Sequence, residues 1–358
     1  MKKTIELIEN VKTIKQFQSD LLVWYDKKAR VLPWRSEPTP YRVWISEMML
    51  QQTRVDTVIP YFMRFLTELP TIQDLAEVEE DKLLKLWQGL GYYNRALNLK
   101  KAAQIIVSKF AAQLPSEKEE LVSLPGIGPY SAGAIASIAF GKAVPAVDGN
   151  VLRILSRLLA SKEDITNTKI KKELEEIVTL LVPAERPGDF NQALMDLGAT
   201  ICLPNGEPQC TECPVQTHCK AYKEELTSDI PVKSVKKARA IDKKTVFVII
   251  AEGKFALRKR DEGGLLPNLW EFPNVDGYLT QKQSEQLLQE MGITLKQIQP
   301  IKMSKHIFSH REWHMKGYFV EGEVLSSSNF TWATEEEIRH QYSIPTAFKA
   351  FMKYCQNE

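Results

Sequence analysis

Four of the five cysteines crowd between residues 202 and 219, spaced C-x7-C-x2-C-x5-C. Four thiolates this close in sequence can ligate one metal centre, either tetrahedral zinc or a four-iron cluster. Cys210 and Cys213 supply the local bite, and Cys202 and Cys219 close the cage. The uneven spacing does not look like two paired knuckles and favours one compact centre. Such a centre can brace a loop without any redox role. Spacing alone does not separate zinc from iron–sulfur, and four unrelated buried thiols are the plain alternative. The opening segment, MKKTIELIENVKTIKQFQSDLL, mixes acids with lysines and has no apolar core, so it is not a signal peptide. A cytoplasmic location is expected. In that reducing compartment the cluster reads as a metal site before it reads as disulfides. His218 sits beside Cys219 but would crowd it, and Cys355 lies alone near the end without an assigned role.

The character of the chain changes just past the cysteines. Before them, WISEMMLQQTRVDTVIPYFMRFL, DKLLKLWQGLGYYNRALNLKKAAQIIVSKF and TKIKKELEEIVTLLV carry apolar residues at helical spacing. Loops with Pro or Gly separate them. After them, AYKEELTSDIPVKSVKKARAIDKK is polar and lysine-rich, like a linker. TVFVIIAEG then opens a β pattern, KFALRKRDEGG suggests its hairpin partner, and HMKGYFVEGEV a further strand. LTQKQSEQLLQEMG and ATEEEIRHQY read as helices. The expected fold is a mainly α region over residues 1–220, a linker over 221–243 and a smaller α+β domain over 244–358. A length of 358 residues suits two domains. With a net charge of only +2, any nucleic-acid contact must rest on local features. No run of apolar residues is long enough for a membrane span.

LPGIGPYSAGAIASIAFG offers such a local feature. Gly126 and Gly128 allow positive φ and leave backbone amides uncovered, and a helix begins at about Tyr130. Exposed amides beside a helix N-terminus seat a phosphate with few positive charges. This is the shape of a helix-hairpin-helix DNA element; the bland reading is a tight turn in a helical bundle. Asp148 precedes Gly149 and the run VLRILSRLL, where it suits a helix N-cap. Glu47 lies among apolar neighbours in WISEMMLQQ. If it is exposed, it is an ordinary helix glutamate. If it is buried, its proton affinity rises towards neutrality. One protonated and one ionised carboxyl are what cleavage of a glycosidic bond through an oxocarbenium-like state requires.

Taken together, LPWR, WISEMMLQQTRV, GLGYYNRA, LPGIGPYSAGAIASIAFG, VDGNV, FNQALMDLGA, the four cysteines and FSH at 308–310 resemble the endonuclease III superfamily, and within it the MutY-type adenine DNA glycosylases. The resemblance covers almost the whole chain. It implies removal of adenine paired with 8-oxoguanine or guanine in double-stranded DNA, with the adenine flipped into a pocket. By the same resemblance Glu47 is the acid at adenine N7, and Asp148 stabilises the cationic sugar. Tyr130 and Asn150 hold the pocket and its carboxylates, and Gln192 contacts the extruded base. Arg30, Gln52 and Tyr92 match positions near the pocket or the DNA gap, Tyr92 as a stacking wedge. The cysteines match ligands of a [4Fe-4S] cluster, although the first gap is one residue longer than the family pattern. Pro129 replaces an expected basic residue in the hairpin. Residues 244–358 resemble a MutT-like Nudix domain without its magnesium-binding glutamates, so no pyrophosphatase activity is expected. Phe308, Ser309 and His310 match its 8-oxoguanine recognition loop. Relatives that also cut the strand carry lysine at the position of Tyr130, and a phenol cannot form their imine. A monofunctional, monomeric glycosylase is therefore expected ahead of a bifunctional lyase or a non-catalytic lesion-binding protein.

Overall fold

Gly126 has φ +79°, and a β-carbon there would stand 2.8 Å from Asn98 Cβ, so both conformation and space demand glycine in the LPGIGP turn. The helix Lys118–Val122 enters the turn, and Pro129–Phe140 leaves it with Gly128 as N-cap and Pro129 in its first turn. Proline is well placed there, because its missing N–H would have had no partner within the helix. Gly141, at φ +67°, ends the helix in the left-handed conformation. Every residue from Ser131 to Ser137 is buried. Small side chains make that depth possible: a β-carbon on Gly133 would collide with the Pro145 carbonyl oxygen. Pro129–Phe140 thus becomes the central helix of its unit, packed between Pro40–Leu50 and Pro187–Thr200.

This computed structural model describes residues 11–234, 238–324 and 329–355. The chain divides into two units, Met1–Glu77 with Asn98–Val235, and Val78–Leu97 with Lys236–Glu358. The first is helical. Its WISEMMLQQTRV segment is broken: Pro40–Leu50 stops, Gln52 takes φ +58°, and a new helix runs Val55–Glu68. Helical spacing alone did not reveal this break, since apolar residues continue on both sides. A second core gathers Leu21, Val151, Leu155, Val178, Phe190 and Leu194. No helix among the described residues is long and apolar enough to cross a membrane.

The second unit holds a seven-stranded mixed sheet: β1 (Ala240–Ala251), β2 (Lys254–Lys259), β3 (Trp270–Glu271), β4 (Asn274–Asp276), β5 (Ile293–Ile307), β6 (Arg311–Val324) and β7 (Thr331–Ala333). The main path is β3-β2-β1-β6-β5; β4 also pairs with β1, and β7 with β2. β1 runs parallel to β6 and antiparallel to β2 through Ile250↔Phe255. Val246 and Val248 enter the core on one face, while Phe247 and Ile249 enter the core on the other. Burial on both faces explains why TVFVIIA reads as a continuous apolar run. β1 begins at Ala240, inside the stretch expected as linker. The helix Gln281–Glu290 starts with a reciprocal capping box between Thr280 and Gln283.

Candidate active site

Glu47 is 5% exposed on the helix Pro40–Leu50 and lines a cavity of about 180 Å³ in the first unit. Arg30, Tyr130, Asp148, Asn150 and Gln192 line the same cavity, so six residues expected at the site converge. Burial, with a smaller push from Asp148, raises the Glu47 carboxyl to a net value of about 7. A hydrogen bond from Tyr130 and the charge of Arg35 pull it back. The Oε2 atom of Glu47 has no hydrogen-bond partner among the described residues. The Tyr130 hydroxyl also reaches Met195 Sδ at 3.7 Å. Burial lifts the phenol well above its ordinary value, which keeps it a neutral donor.

Asp148 caps the helix Gly149–Leu158. Its Oδ1 accepts from the backbone amides of Asn150 (2.9 Å) and Val151 (2.8 Å), and its Oδ2 from Asn150 Nδ2 (2.7 Å). Burial raises this carboxyl, and the three hydrogen bonds oppose that rise by favouring the anion. Asn150 is itself oriented: its Oδ1 accepts from Arg153 Nη2 at 2.9 Å. Arg153 also donates to the Gly198 carbonyl (2.8 Å) and, through Nε, to the Cys202 carbonyl (2.9 Å). One helical turn on, Arg157 Nη1 donates to Cys202 Sγ at 3.2 Å. A continuous polar path thus joins the capping carboxylate to the cysteine loop. Cys202, Cys210, Cys213 and Cys219 line a second, small cavity. Burial pushes the Cys213 thiol up to about 12 and raises those of Cys210 and Cys219. Ionised thiolates there need a compensating cation, which a metal centre supplies. Among the described residues no three His, Cys, Asp or Glu side chains are grouped so as to hold a single metal ion.

Residues 45–179 match the family described as HhH-GPD superfamily base excision DNA repair protein, and residues 245–354 match the NUDIX domain. The adenine DNA glycosylase of Mus musculus is 36% identical across 98% of this chain and 80% of its own length. That of Buchnera aphidicola subsp. Schizaphis graminum is 40% identical across 85% of this chain and 87% of its own. The chain belongs to the adenine DNA glycosylase family. A solved thermostable thymine-DNA glycosylase aligns with 59% of the chain and 97% of its own, at 29% identity and a TM-score of 0.54. In this adenine DNA glycosylase family member burial raises both carboxyls, and Asp148 alone has three donors that favour its anion.

Other expected positions of this glycosylase lie outside that cavity. Gly126 and Gly128 form the hairpin turn of the same unit. Gln52 is exposed and is not part of the cavity wall. Tyr92 belongs to the second unit, 45% exposed with φ +50°, and the Arg95 guanidinium lies 5.6 Å from its ring. In the FSH loop, Phe308 is an anchor packed edge-on against His306 and Trp313, while Ser309 and His310 are exposed. Ser309 Oγ lies 3.4 Å from His310 Nδ1, and Arg311 Nε donates to His310 Nε2 at 3.1 Å. Sequence reasoning quoted Arg35 and Asp196 within LPWR and FNQALMDLGA but gave them no role, and it left Arg153 and Arg157 unremarked. The available signal was charge on otherwise apolar helical faces: Arg153, Arg157 and Asp196 are all nearly fully buried.

Proposed function

We propose that this chain hydrolyses the N-glycosidic bond of adenine mispaired with 8-oxoguanine or guanine in double-stranded DNA, without cutting the strand. One observation carries the reading: a buried Glu47, its carboxyl raised to about 7, and an Asp148 carboxyl held by three hydrogen-bond donors line one cavity. Glu47 donates its proton to N7 of the flipped adenine, which turns the base into a neutral leaving group. Asp148, locked by Asn150, offers a fixed negative charge to the oxocarbenium-like sugar. Tyr130 holds Glu47 in place, and Arg30 and Gln192 read the base from the wall. No lysine lines the cavity among the described residues, which supports a monofunctional enzyme. Gly126, Gly128 and the N-terminus of Pro129–Phe140 seat a backbone phosphate. Tyr92 fills the gap in the base stack, and Gln52 contacts the DNA beside it. Ser309 and His310 recognise 8-oxoguanine: its N7–H donates where guanine N7 accepts, so an acceptor oxygen separates them.

The four thiols that line one small cavity would hold a [4Fe-4S] centre, the group implied by the resemblance of their spacing to the family pattern. When bound, that centre supplies the positive charge that keeps the thiolates ionised and ties the loop. Arg157 and Arg153 carry that rigidity towards Asn150. The protein acts as a cytoplasmic monomer, associated with the nucleoid when on DNA. The deciding experiment uses duplexes with adenine opposite 8-oxoguanine or guanine, scored with and without alkali. Strand breaks only after alkali, and faster release opposite 8-oxoguanine, are expected. Breaks without alkali would establish lyase chemistry instead.

A further inference from the structure

Asp196 is 1% exposed, carries a full set of hydrogen bonds, and is used by no step of the chemistry described above. Its two oxygens bind two arginines. Arg35 meets it fork to fork, with Nη1 donating to Oδ2 at 2.8 Å and Nη2 to Oδ1 at 3.0 Å. Arg30 donates to Oδ1 from Nε at 2.8 Å and to Oδ2 from its backbone amide at 3.1 Å. Arg35 Nη1 also donates to the Arg30 carbonyl at 3.2 Å, closing the group. Both arginines line the cavity that holds Glu47.

We propose that Asp196 is a positioning residue that clamps Arg35 and Arg30 side by side, keeping Arg35 from pairing with Glu47 and Arg30 at the wall that meets the base. The inference rests on Glu47 acting as the acid. Guanidinium and carboxylate planes match in bidentate geometry, and Asp196 satisfies that geometry for Arg35. Remove it, and Arg35 keeps its charge in a half-buried place, with its Nε already unpartnered among the described residues. Glu47, with its unpartnered Oε2 in the same cavity, becomes the available anion. An ion pair there would hold Glu47 deprotonated, and a deprotonated carboxyl cannot protonate N7. The other ionisable groups facing Glu47 are Tyr130 from the hairpin helix and Asp148 from the next helix start. Neither supplies a positive charge; Arg30 and Arg35 are the cations of the cavity wall, and Arg35 is the one whose charge acts on Glu47. Asp196 also lies one turn after Gln192 on Pro187–Thr200, so one helix face both reads the base and restrains the arginines.

The test is the pH dependence of adenine release under single-turnover conditions. The wild-type rate should fall as pH rises through the Glu47 value. Asp196→Asn should move that limb down by about one pH unit, so that its rate deficit at pH 8 is roughly fivefold larger than at pH 6. Arg35→Met should move the limb upward, and the double variant should sit where Arg35→Met does, because Asp196 acts on Glu47 only through Arg35. A folded Asp196→Asn that loses rate equally at every pH, or an Arg35→Met whose limb stays put, overturns the proposal. If Asp196→Asn does not fold, Arg35→Met and the double variant decide. Glu47→Gln separates the two readings. If it still releases adenine, the acid assignment itself fails; if it is inactive while the limbs are unmoved, only the role of Asp196 is lost.

Discussion

Glu47 holds a proton near neutrality because its surroundings are dry and Asp148 is ionised close by. Held in water, the same carboxyl would be ionised at pH 7 and useless as an acid. This tuning costs stability, and its sign follows from linkage. The folded value of about 7 lies above the 4.5 of a glutamate in water. The cost is therefore absent below the unfolded value and grows as pH rises between the two, to roughly 3 kcal/mol above the folded value. Glu47→Gln removes the ionisable group while keeping its shape. It should melt several degrees higher than wild type at pH 8 and about equally at pH 4, while adenine release falls at least a hundredfold. Thermal melts at the two pH values, with a glycosylase assay, check both halves. Burial raises Asp148 as well, but as the N-cap of its helix it accepts backbone hydrogen bonds that favour its anion.

At the scale of the element, the helix Pro129–Phe140 does most of the positioning. It starts at the glycine turn proposed to seat a phosphate, carries Tyr130 to the cavity, and threads the core on small residues. Its run of Ala, Ser and Gly reads as weakly amphipathic, yet the helix is buried because its neighbours approach its backbone directly. Gly133→Ala forces the Pro145 carbonyl away from that backbone and should cost about 1–3 kcal/mol. Gly149→Ala is the control, since a β-carbon there meets nothing within 4 Å. Urea unfolding of the two variants checks the difference. A Gly133→Ala protein as stable as the control would show that the close packing is not needed.

At the scale of the whole molecule, the proposed chemistry and the proposed recognition loop belong to different units, each with its own core. Phe308 anchors that loop, tied through Trp313 to the second unit's hydrophobic core. Changing only the exposed tip should therefore spare stability. Ser309→Ala with His310→Ala should lower the preference for adenine opposite 8-oxoguanine over guanine by tenfold or more, with an unchanged melting temperature. Competition between the two duplexes measures it, and an unchanged preference would remove the loop from recognition.

From the sequence came the two-part organisation, the hairpin, the two carboxyls that share one cavity, and the four cysteines that line another. Each rests on local chemistry: glycine where φ is positive, proline in a first turn, an acid before a helix, thiols at short spacing. It also placed the strand at TVFVIIA, where a doubly buried run is unambiguous. Tertiary structure alone decided what Glu47 is, since burial depends on helices far away in sequence. It likewise decided that WISEMMLQQTRV breaks at Gln52, and that residues 78–97 pack with the second unit. The roles of Asp196, Arg35 and Arg153 became visible only there. Their partners lie 161 residues away for Arg35 and 49 for the Cys202 carbonyl. A charged side chain announces its type in the sequence, but the partner that fixes its function is chosen by the fold.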